Sequence, residues 1–98
     1  MRTAQANPTT AQTNTALIAL SAGKHVIVNR IYVSSDTAMT VSLVNSVTHD
    51  LVWRQYVGAA GGSSAQYDFT SATGEGLDLT TSATGNVFIL VTYAYSGE

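Results

Sequence analysis

Side chains capable of acid–base or nucleophilic chemistry are few and scattered in this chain of 98 residues. The two histidines are His25 and His49, and His49 is followed directly by Asp50. Because adjacent residues of a strand point to opposite faces, this pair cannot act as a general base and the carboxylate that orients it. There is no cysteine, no G-x-S-x-G motif and no H-E-x-x-H motif. We therefore predict that the chain is not an enzyme.

Metal and phosphate sites are not predicted either. The six acidic residues are spread singly, without the ligand spacing of zinc sites or EF-hands. Calcium held by loop carboxylates and carbonyls stays open as an alternative. The glycine-rich stretch at 57–65 lacks the lysine and the helix that follow a phosphate-binding loop. We expect no cofactor and no metal. Four of the carboxylates are more simply interpreted as residues of turns or of solvent-exposed strand faces than as metal ligands, namely Asp36, Asp50, Asp68 and Asp78.

The composition argues against nucleic-acid and membrane partners. Charged residues make up 10% of the chain, and the formal net charge is −2. The basic residues do not form the cationic stripe that phosphate neutralisation requires. The N-terminus lacks the apolar core of a signal peptide, and no segment is apolar enough to span a bilayer. We expect a protein made in a cytoplasm and not secreted through a signal peptide. So few charges leave a weakly charged surface, which suggests that another protein covers part of it.

Short apolar segments separated by Gly, Ser, Asn and Asp predict an all-β fold. We expect an antiparallel two-sheet β-sandwich of about 7–8 strands, with jelly-roll or immunoglobulin-like connectivity. Residues 1–13 are expected to be an extended, flexible polar arm, and residues 14–98 a single sandwich domain. Residues 57–65 are expected to be a flexible loop. The predicted strands are 14–20, 25–33, 37–44, 50–57, 64–69, 76–80 and 86–95.

One strand changes its phase along its length. Val26 and Val28 share one face, whereas the apolar residues from Ile31 onward have the opposite phase. One extra residue at Asn29-Arg30 restores a common inward face, so we predict a β-bulge there.

Two strands carry apolar residues on both faces. In the last strand, Phe88 and Leu90 lie opposite the apolar set that begins at Val87, and in the first, Ile18 and Leu20 lie opposite Leu17. Apolar residues on both faces of a sandwich strand imply a second cover. This cover is either the chain's own loops or arm, or another subunit.

Arg54 and Tyr56, which follow Trp53 in the sequence, form a second candidate contact surface. One interpretation places Trp53, in phase with Leu51, in the core and leaves Arg54 and Tyr56 on an exposed sheet face. The other is an aromatic-plus-arginine contact patch, a composition enriched at binding hot spots. The residues predicted to form an interface are therefore Ile18, Leu20, Arg54, Tyr56, Phe88 and Leu90.

The tetrapeptide Ser-Ala-Thr-Gly occurs at 71–74 and again at 82–85. The segment between the copies is long enough for one strand, with Leu77 and Leu79 on one face. Each copy is a small polar turn ending in glycine, which tolerates positive φ. We interpret the two copies as turns that bracket one strand.

Several motifs along residues 22–93 carry a family resemblance. They are Ala22-Gly23-Lys24 leading into V-x-V-x-x-I-x-V, Ser34-Ser35-Asp36, TAMTVSLV, the Gly-rich loop, Tyr67-Asp68-Phe69, Gly74-Glu75-Gly76-Leu77-x-Leu79 and the closing V-x-I-x-V-T-Y. In order and spacing they resemble small β-sandwich structural proteins of tailed bacteriophages. The similarity is to head decoration (cement) proteins and related virion accessory proteins.

The resemblance implies a sandwich that binds the outside of a capsid lattice, often as an oligomer, and has no catalytic residues. The expected partners are the major capsid protein or other virion proteins and further copies of the chain, and the expected location is the virion. The alternative is a carbohydrate- or receptor-binding module of a phage fibre or tail. In that case Trp53, Tyr56 or the pair Tyr93 and Tyr95 would stack on a sugar.

Overall fold

The computed structural model describes residues 2–58, 61–70 and 74–97, with side chains described throughout except at 61–68. The described chain is all-β, as the sequence predicts, and it contains no helix that is long and apolar enough to cross a membrane. The strands are β1 (Arg2–Ala6), β2 (Thr15–Ile18), β3 (Val26–Ser35), β4 (Met39–Asn45), β5 (Leu51–Val57), β6 (Gly61–Thr70), β7 (Leu77–Thr81) and β8 (Val87–Tyr95).

The strands form two antiparallel sheets with jelly-roll connectivity. The pairs β1–β8, β2–β7, β3–β6 and β4–β5 are those of one long hairpin whose closing turn lies between β4 and β5. This hairpin is folded over into a first sheet, ordered β1-β8-β3-β6, and a second sheet, ordered β2-β7-β4-β5. The predicted two-sheet sandwich is confirmed. The strand order also decides between the two predicted connectivities in favour of the jelly roll.

The core lies between the sheets and consists mainly of aliphatic side chains that alternate along each strand. In β8, Val87, Ile89 and Val91 are buried, whereas Phe88 and Leu90 are half-buried on the opposite face. Burial of each such aliphatic side chain contributes about 1.5–3 kcal/mol. Among the residues whose side chains are described, those with no exposed surface are Val26, Val33, Val41, Leu43, Leu77, Ile89 and Val91.

The bulge predicted in β3 is confirmed. Its pairing with both β6 and β8 shifts register between Val28 and Arg30. Val28 and Ile31 are consequently both buried, although their odd spacing would put them on opposite faces of a regular strand.

A second register shift, in β2, changes the expected orientation of its side chains. Ala16 lies opposite Asp78 and Ile18 lies opposite Leu77, so Leu17 is the extra residue. Leu17 packs against the core and Ile18 lies within it. The two-sided pattern of this strand therefore arises from a bulge.

A third register shift, in β5, reverses the phase expected for Leu51. Leu43 lies opposite Trp53, but Val44 lies opposite Leu51, so Val52 is the extra residue. Val52 and Trp53 both pack against the core, and Leu51 is exposed on the outer face. The predicted common face of Leu51 and Trp53 is wrong because the bulge separates them.

The N-terminal polar segment begins as an edge strand. All five residues of β1 pair with β8, although Ala4 is the one buried side chain of the strand. Backbone hydrogen bonds therefore attach this segment, and large apolar side chains are not needed. This placement corrects the expectation of a free arm over residues 1–13.

The rest of that segment crosses to the second sheet and is also attached. The Pro8 carbonyl accepts a hydrogen bond from the Val87 N–H at 3.0 Å. The Gln12 N–H donates to Thr81 Oγ1 at 2.8 Å, and the Thr81 N–H donates to the Gln12 carbonyl at 3.0 Å. These bonds connect the crossing segment to both sheets.

The glycine-rich stretch predicted as a loop over 57–65 is partly strand. β6 begins at Gly61 and pairs with β3, which requires only backbone groups from the glycines. Residues 59 and 60 lie outside the described part of the chain.

The second Ser-Ala-Thr-Gly copy forms the turn between β7 and β8, and Ser71–Thr73 of the first copy lie outside the described residues. Gly74 has the predicted positive φ, 77°. Gly85 is required for a different reason, because an added Cβ would lie 2.5 Å from Thr37 Oγ1. The described copy thus marks a boundary of β7, as predicted.

Candidate functional site

The outer face of the first sheet carries an apolar cluster. Tyr32 of β3 lies directly opposite Leu90 of β8, and its ring is 6.1 Å from that of Phe88 at an angle of 59°. Tyr32 is 38% exposed, and Phe88 and Leu90 are half-buried. We call these three residues the apolar face. It includes the predicted interface residues Phe88 and Leu90 and adds Tyr32, which the alternation of β3 placed outward but which the sequence did not single out.

The surroundings of the apolar face are mostly small or polar. Beyond Leu90, the next outward position of β8 is Thr92, which lies opposite Arg30 on one side and Thr3 on the other. The Thr92 hydroxyl is buried and has no hydrogen-bond partner within the described part of the chain. Arg30 is exposed. The face therefore combines apolar surface with one cation at its margin.

The first strand contributes less to this surface than the sequence suggested. Ile18 is 1% exposed and belongs to the core, because the bulge at Leu17 turns it inward. The prediction that Ile18 contacts a partner is corrected for this reason. Leu20 lies beyond the end of β2 and is 52% exposed, so it remains available at the surface.

The outer face of the second sheet carries a shallow groove of about 310 Å³. In one row across the strands, Thr80 of β7, Ser42 of β4 and Arg54 of β5 lie opposite one another. In the next row Thr40 lies opposite Tyr56. We call this feature the Arg54 groove, lined by Thr40, Ser42, Arg54, Thr80 and Ser82.

Hydrogen bonds to the backbone orient two hydroxyls of the groove. The Ser82 hydroxyl accepts a hydrogen bond from the Thr40 N–H at 2.8 Å, next to the bond from the Ser82 N–H to the Thr40 carbonyl at 3.0 Å. The Thr80 hydroxyl accepts from the Asn14 N–H at 3.1 Å. Both oxygens keep a second lone pair, and Ser82 also keeps its O–H proton for a ligand.

Arg54 and Tyr56 extend from the outer face beside these hydroxyls. Both are exposed, and Tyr56, at 65%, is the most exposed of the large apolar side chains described. Arg54 forms no ion pair within the described part of the chain. The structure thus brings together two of the predicted interface residues with four hydroxyls contributed by β4, β7 and the turn after β7.

No family model, curated protein or solved structure matches this chain.

The other aromatic residues considered for sugar stacking are engaged within the domain. Trp53 packs against the core, and Tyr93 is buried. The Tyr95 hydroxyl donates a hydrogen bond to the Ala19 carbonyl at 2.5 Å, and the Arg2 guanidinium lies 5.2 Å from the centre of its ring. Among the candidates Trp53, Tyr56, Tyr93 and Tyr95, this leaves Tyr56 as the exposed aromatic beside a groove.

The acid–base candidates are not brought into a cluster. Among the described residues, no group of three or more His, Cys, Asp or Glu side chains is placed to hold a metal ion. The backbone N–H of His25 donates to the Ser96 hydroxyl at 2.9 Å. His49 is an exposed turn residue with a φ of 62°. Both histidines therefore lie outside the Arg54 groove, among residues of turns and strand ends.

Proposed function

We propose that the chain is a structural virion protein, a decoration or cement protein of a tailed-bacteriophage head that acts by protein–protein contact. The observation that carries this proposal is the apolar face formed by Tyr32, Phe88 and Leu90. A sandwich ordinarily keeps polar side chains on the outer faces of its sheets. Partly exposed aromatic and aliphatic residues in the middle of such a face favour cover by another protein.

The composition supports the same class of function. Charged residues make up 10% of the chain, and the net charge is −2, so the surface has little charge to oppose close packing against another protein. Jelly rolls occur in viral capsid proteins and in lectins. Because one fold serves many functions, it is the apolar face that favours the capsid role.

The proposed mechanism is adhesive. Tyr32 and Phe88 are rigid aromatic side chains that lose little conformational entropy when a partner covers them. Each contact with the major capsid protein, or with a neighbouring copy of the chain, need be only moderate, because a lattice repeats it many times. Reinforcement then results from the number of contacts.

The structure changes how this role is best tested. Deletion of the predicted arm would remove β1 from the first sheet and leave the edge of β8 unpaired, so lost attachment would be confused with lost stability. Quantitative protein analysis of purified particles from the virus that encodes the chain is the better test. We expect many copies per shell, in a fixed ratio to the major capsid protein. Absence from purified particles would reject the proposal.

A further inference from the structure

We infer that the Arg54 groove binds acidic saccharides, so that the two outer faces of the sandwich have different partners. The groove combines a row of hydroxyls, an arginine and an exposed tyrosine ring on one sheet face. Each of these components matches a different part of such a ligand.

The hydroxyls match the hydroxyls of a sugar. Thr40, Ser42 and Ser82 present hydroxyls that can both donate and accept hydrogen bonds. Thr80, whose hydroxyl donates to Asn14 Oδ1 at 3.5 Å, can accept one from a ligand. The backbone bonds to Thr80 and Ser82 hold two of these oxygens in place before any ligand arrives. Preorganised polar groups lose less entropy on binding than mobile ones do.

Arg54 selects for an acid. It lies in the same row as Ser42 and Thr80, and no carboxylate is paired with it within the described part of the chain. A guanidinium binds a carboxylate through two parallel hydrogen bonds, which gives both strength and direction. With strands about 4.8 Å apart, Arg54 and Thr80 are separated by about 10 Å at their Cα atoms, so one ligand can reach both.

Tyr56 provides an apolar surface for the ring of the sugar. It follows Arg54 by two residues on the same face and lies opposite Thr40. Its ring is the most exposed aromatic surface described on this sheet. An aromatic face packs against the C–H groups of a saccharide while leaving the sugar hydroxyls free to bond.

Other ligand classes fit the Arg54 groove less well. A phosphate site would require several cations or a set of backbone N–H groups, and Arg54 is the one basic residue that lines the groove. An apolar ligand would require an apolar lining. The nearest acidic position on the face, Asp78, lies one row away from Arg54 and on the far side of β4. A ligand carboxylate bound to Arg54 would therefore not lie against the carboxylate of Asp78.

A saccharide site on the second sheet does not depend on the virion role, which rests on the first sheet. The test uses the full chain in calorimetric titration with two probes, oligogalacturonate and a sialylated oligosaccharide. Their neutral methyl esters serve as matched ligands. The variants are Arg54→Gln, Tyr56→Ala and Tyr56→Phe. Arg30→Gln, which removes an exposed cation from the other sheet, is the control.

We expect at least one of the acids to bind about tenfold or more tightly than its ester. Arg54→Gln should abolish that preference, and Arg30→Gln should leave it unchanged. Tyr56→Ala should weaken the binding of the acid and of its ester alike, by about three- to tenfold. Tyr56→Phe should retain most of the affinity for both. The proposal is overturned if neither acid binds at millimolar concentration, or if Arg30→Gln weakens binding as much as Arg54→Gln.

Discussion

Asp36 and Asn86 join the β3–β4 connection to the β7–β8 turn through reciprocal hydrogen bonds. The Asp36 carboxylate accepts from Asn86 Nδ2 at 2.8 Å and from the Asn86 N–H at 2.9 Å. The Asp36 N–H donates to the Asn86 carbonyl at 3.1 Å. The Thr37 hydroxyl donates to the same carboxylate at 2.9 Å. The side chain of Asn86, and next that of Thr37, lower the pKa of Asp36 because they stabilise its ionised form.

The Asp36–Asn86 connection predicts a pH-dependent component of stability. Because the pKa of Asp36 is lowered in the folded protein, its stabilising effect is present above the unfolded-state value of about 3.9 and is lost as the pH falls through the folded-state pKa. The melting temperature of the wild type should exceed that of Asp36→Asn at neutral pH. The difference should shrink as the pH falls below about 4.

Asn86→Ala is the matched variant for this prediction, because it removes the side-chain donor Nδ2, keeps the backbone N–H donor and keeps the carboxylate. Combining it with Asp36→Asn should cost less than the sum of the two single changes, since both break one interaction. Thermal melts monitored by circular dichroism between neutral and strongly acidic pH measure all three variants. A melting difference that stays constant over this range would contradict the predicted contribution of Asp36.

Gly76 is predicted to be intolerant of any side chain. A Cβ at this position would overlap the Ile18 carbonyl oxygen and crowd the Leu20 N–H, both of them backbone groups that cannot rotate away. Gly76→Ala should therefore destabilise the protein by about 1–3 kcal/mol. Gly58→Ala, where the added Cβ would meet nothing within 4 Å, should change the stability little. Urea unfolding followed by the fluorescence of Trp53 gives both values, and equal losses would argue against the close approach of β2 to Gly76.

Two threonines are predicted to respond in opposite ways to the same substitution. The Thr92 hydroxyl is buried with no hydrogen-bond partner in the described part of the chain, whereas the Thr81 hydroxyl accepts from the Gln12 N–H at 2.8 Å. Thr92→Val should be neutral or stabilising by up to about 1 kcal/mol, because no bond is lost. Thr81→Val should destabilise by about 1–3 kcal/mol, because it leaves the Gln12 N–H without its acceptor. Urea unfolding measures the pair, and a comparable loss for Thr92→Val would mean that its hydroxyl is bonded after all.

The apolar face is predicted to affect association more than folding. Tyr32→Ser combined with Leu90→Thr should remove most of the apolar surface that a capsid partner would cover. Because neither residue belongs to the core cluster, the free energy of unfolding should fall by no more than about 1 kcal/mol. Val47→Ser, which replaces an exposed apolar residue in the β4–β5 turn, is the control.

Occupancy of the variants on particles lacking the protein, measured by co-sedimentation, tests that prediction. We expect a loss of about tenfold or more for the double variant and wild-type occupancy for Val47→Ser. If the double variant binds like the wild type, the contact surface lies elsewhere. A large fall in unfolding free energy would instead show that Tyr32 and Leu90 act mainly as structural residues.

The alternation of apolar residues predicted most of the strands and one bulge, and it failed at the other two bulges for a definable reason. In β3 the polar pair Asn29-Arg30 interrupts the apolar series, so the change of phase is visible in the sequence. At Leu17 and Val52 the extra residue is itself apolar. At these two places the sequence has apolar residues at both sets of alternating positions, so either set could face the core. Only the pairing with the neighbouring strand reveals which residue is extra.

β1 and the Arg54 groove depend on long-range pairing, which periodicity does not encode. β1 has no large apolar side chain and is held by the backbone of β8, far along the chain. The outward positions of Thr40 and Ser42 could be predicted from the alternation of β4. Their meeting with Arg54 and Thr80 requires the strand order β7-β4-β5, which the sequence left open.

The position of β8 constrains when this protein can fold during translation. β8 is the last of the described strands and lies in the interior of the first sheet, between β1 and β3. A ribosome adds about 5–20 residues per second, so β1 waits roughly 5–20 s for its partner to be synthesised. Until Tyr95 has emerged from the exit tunnel, the inward valines of β3 face an incomplete sheet. The first sheet therefore closes only once β8 has been synthesised, and until then β1 has no partner strand in that sheet.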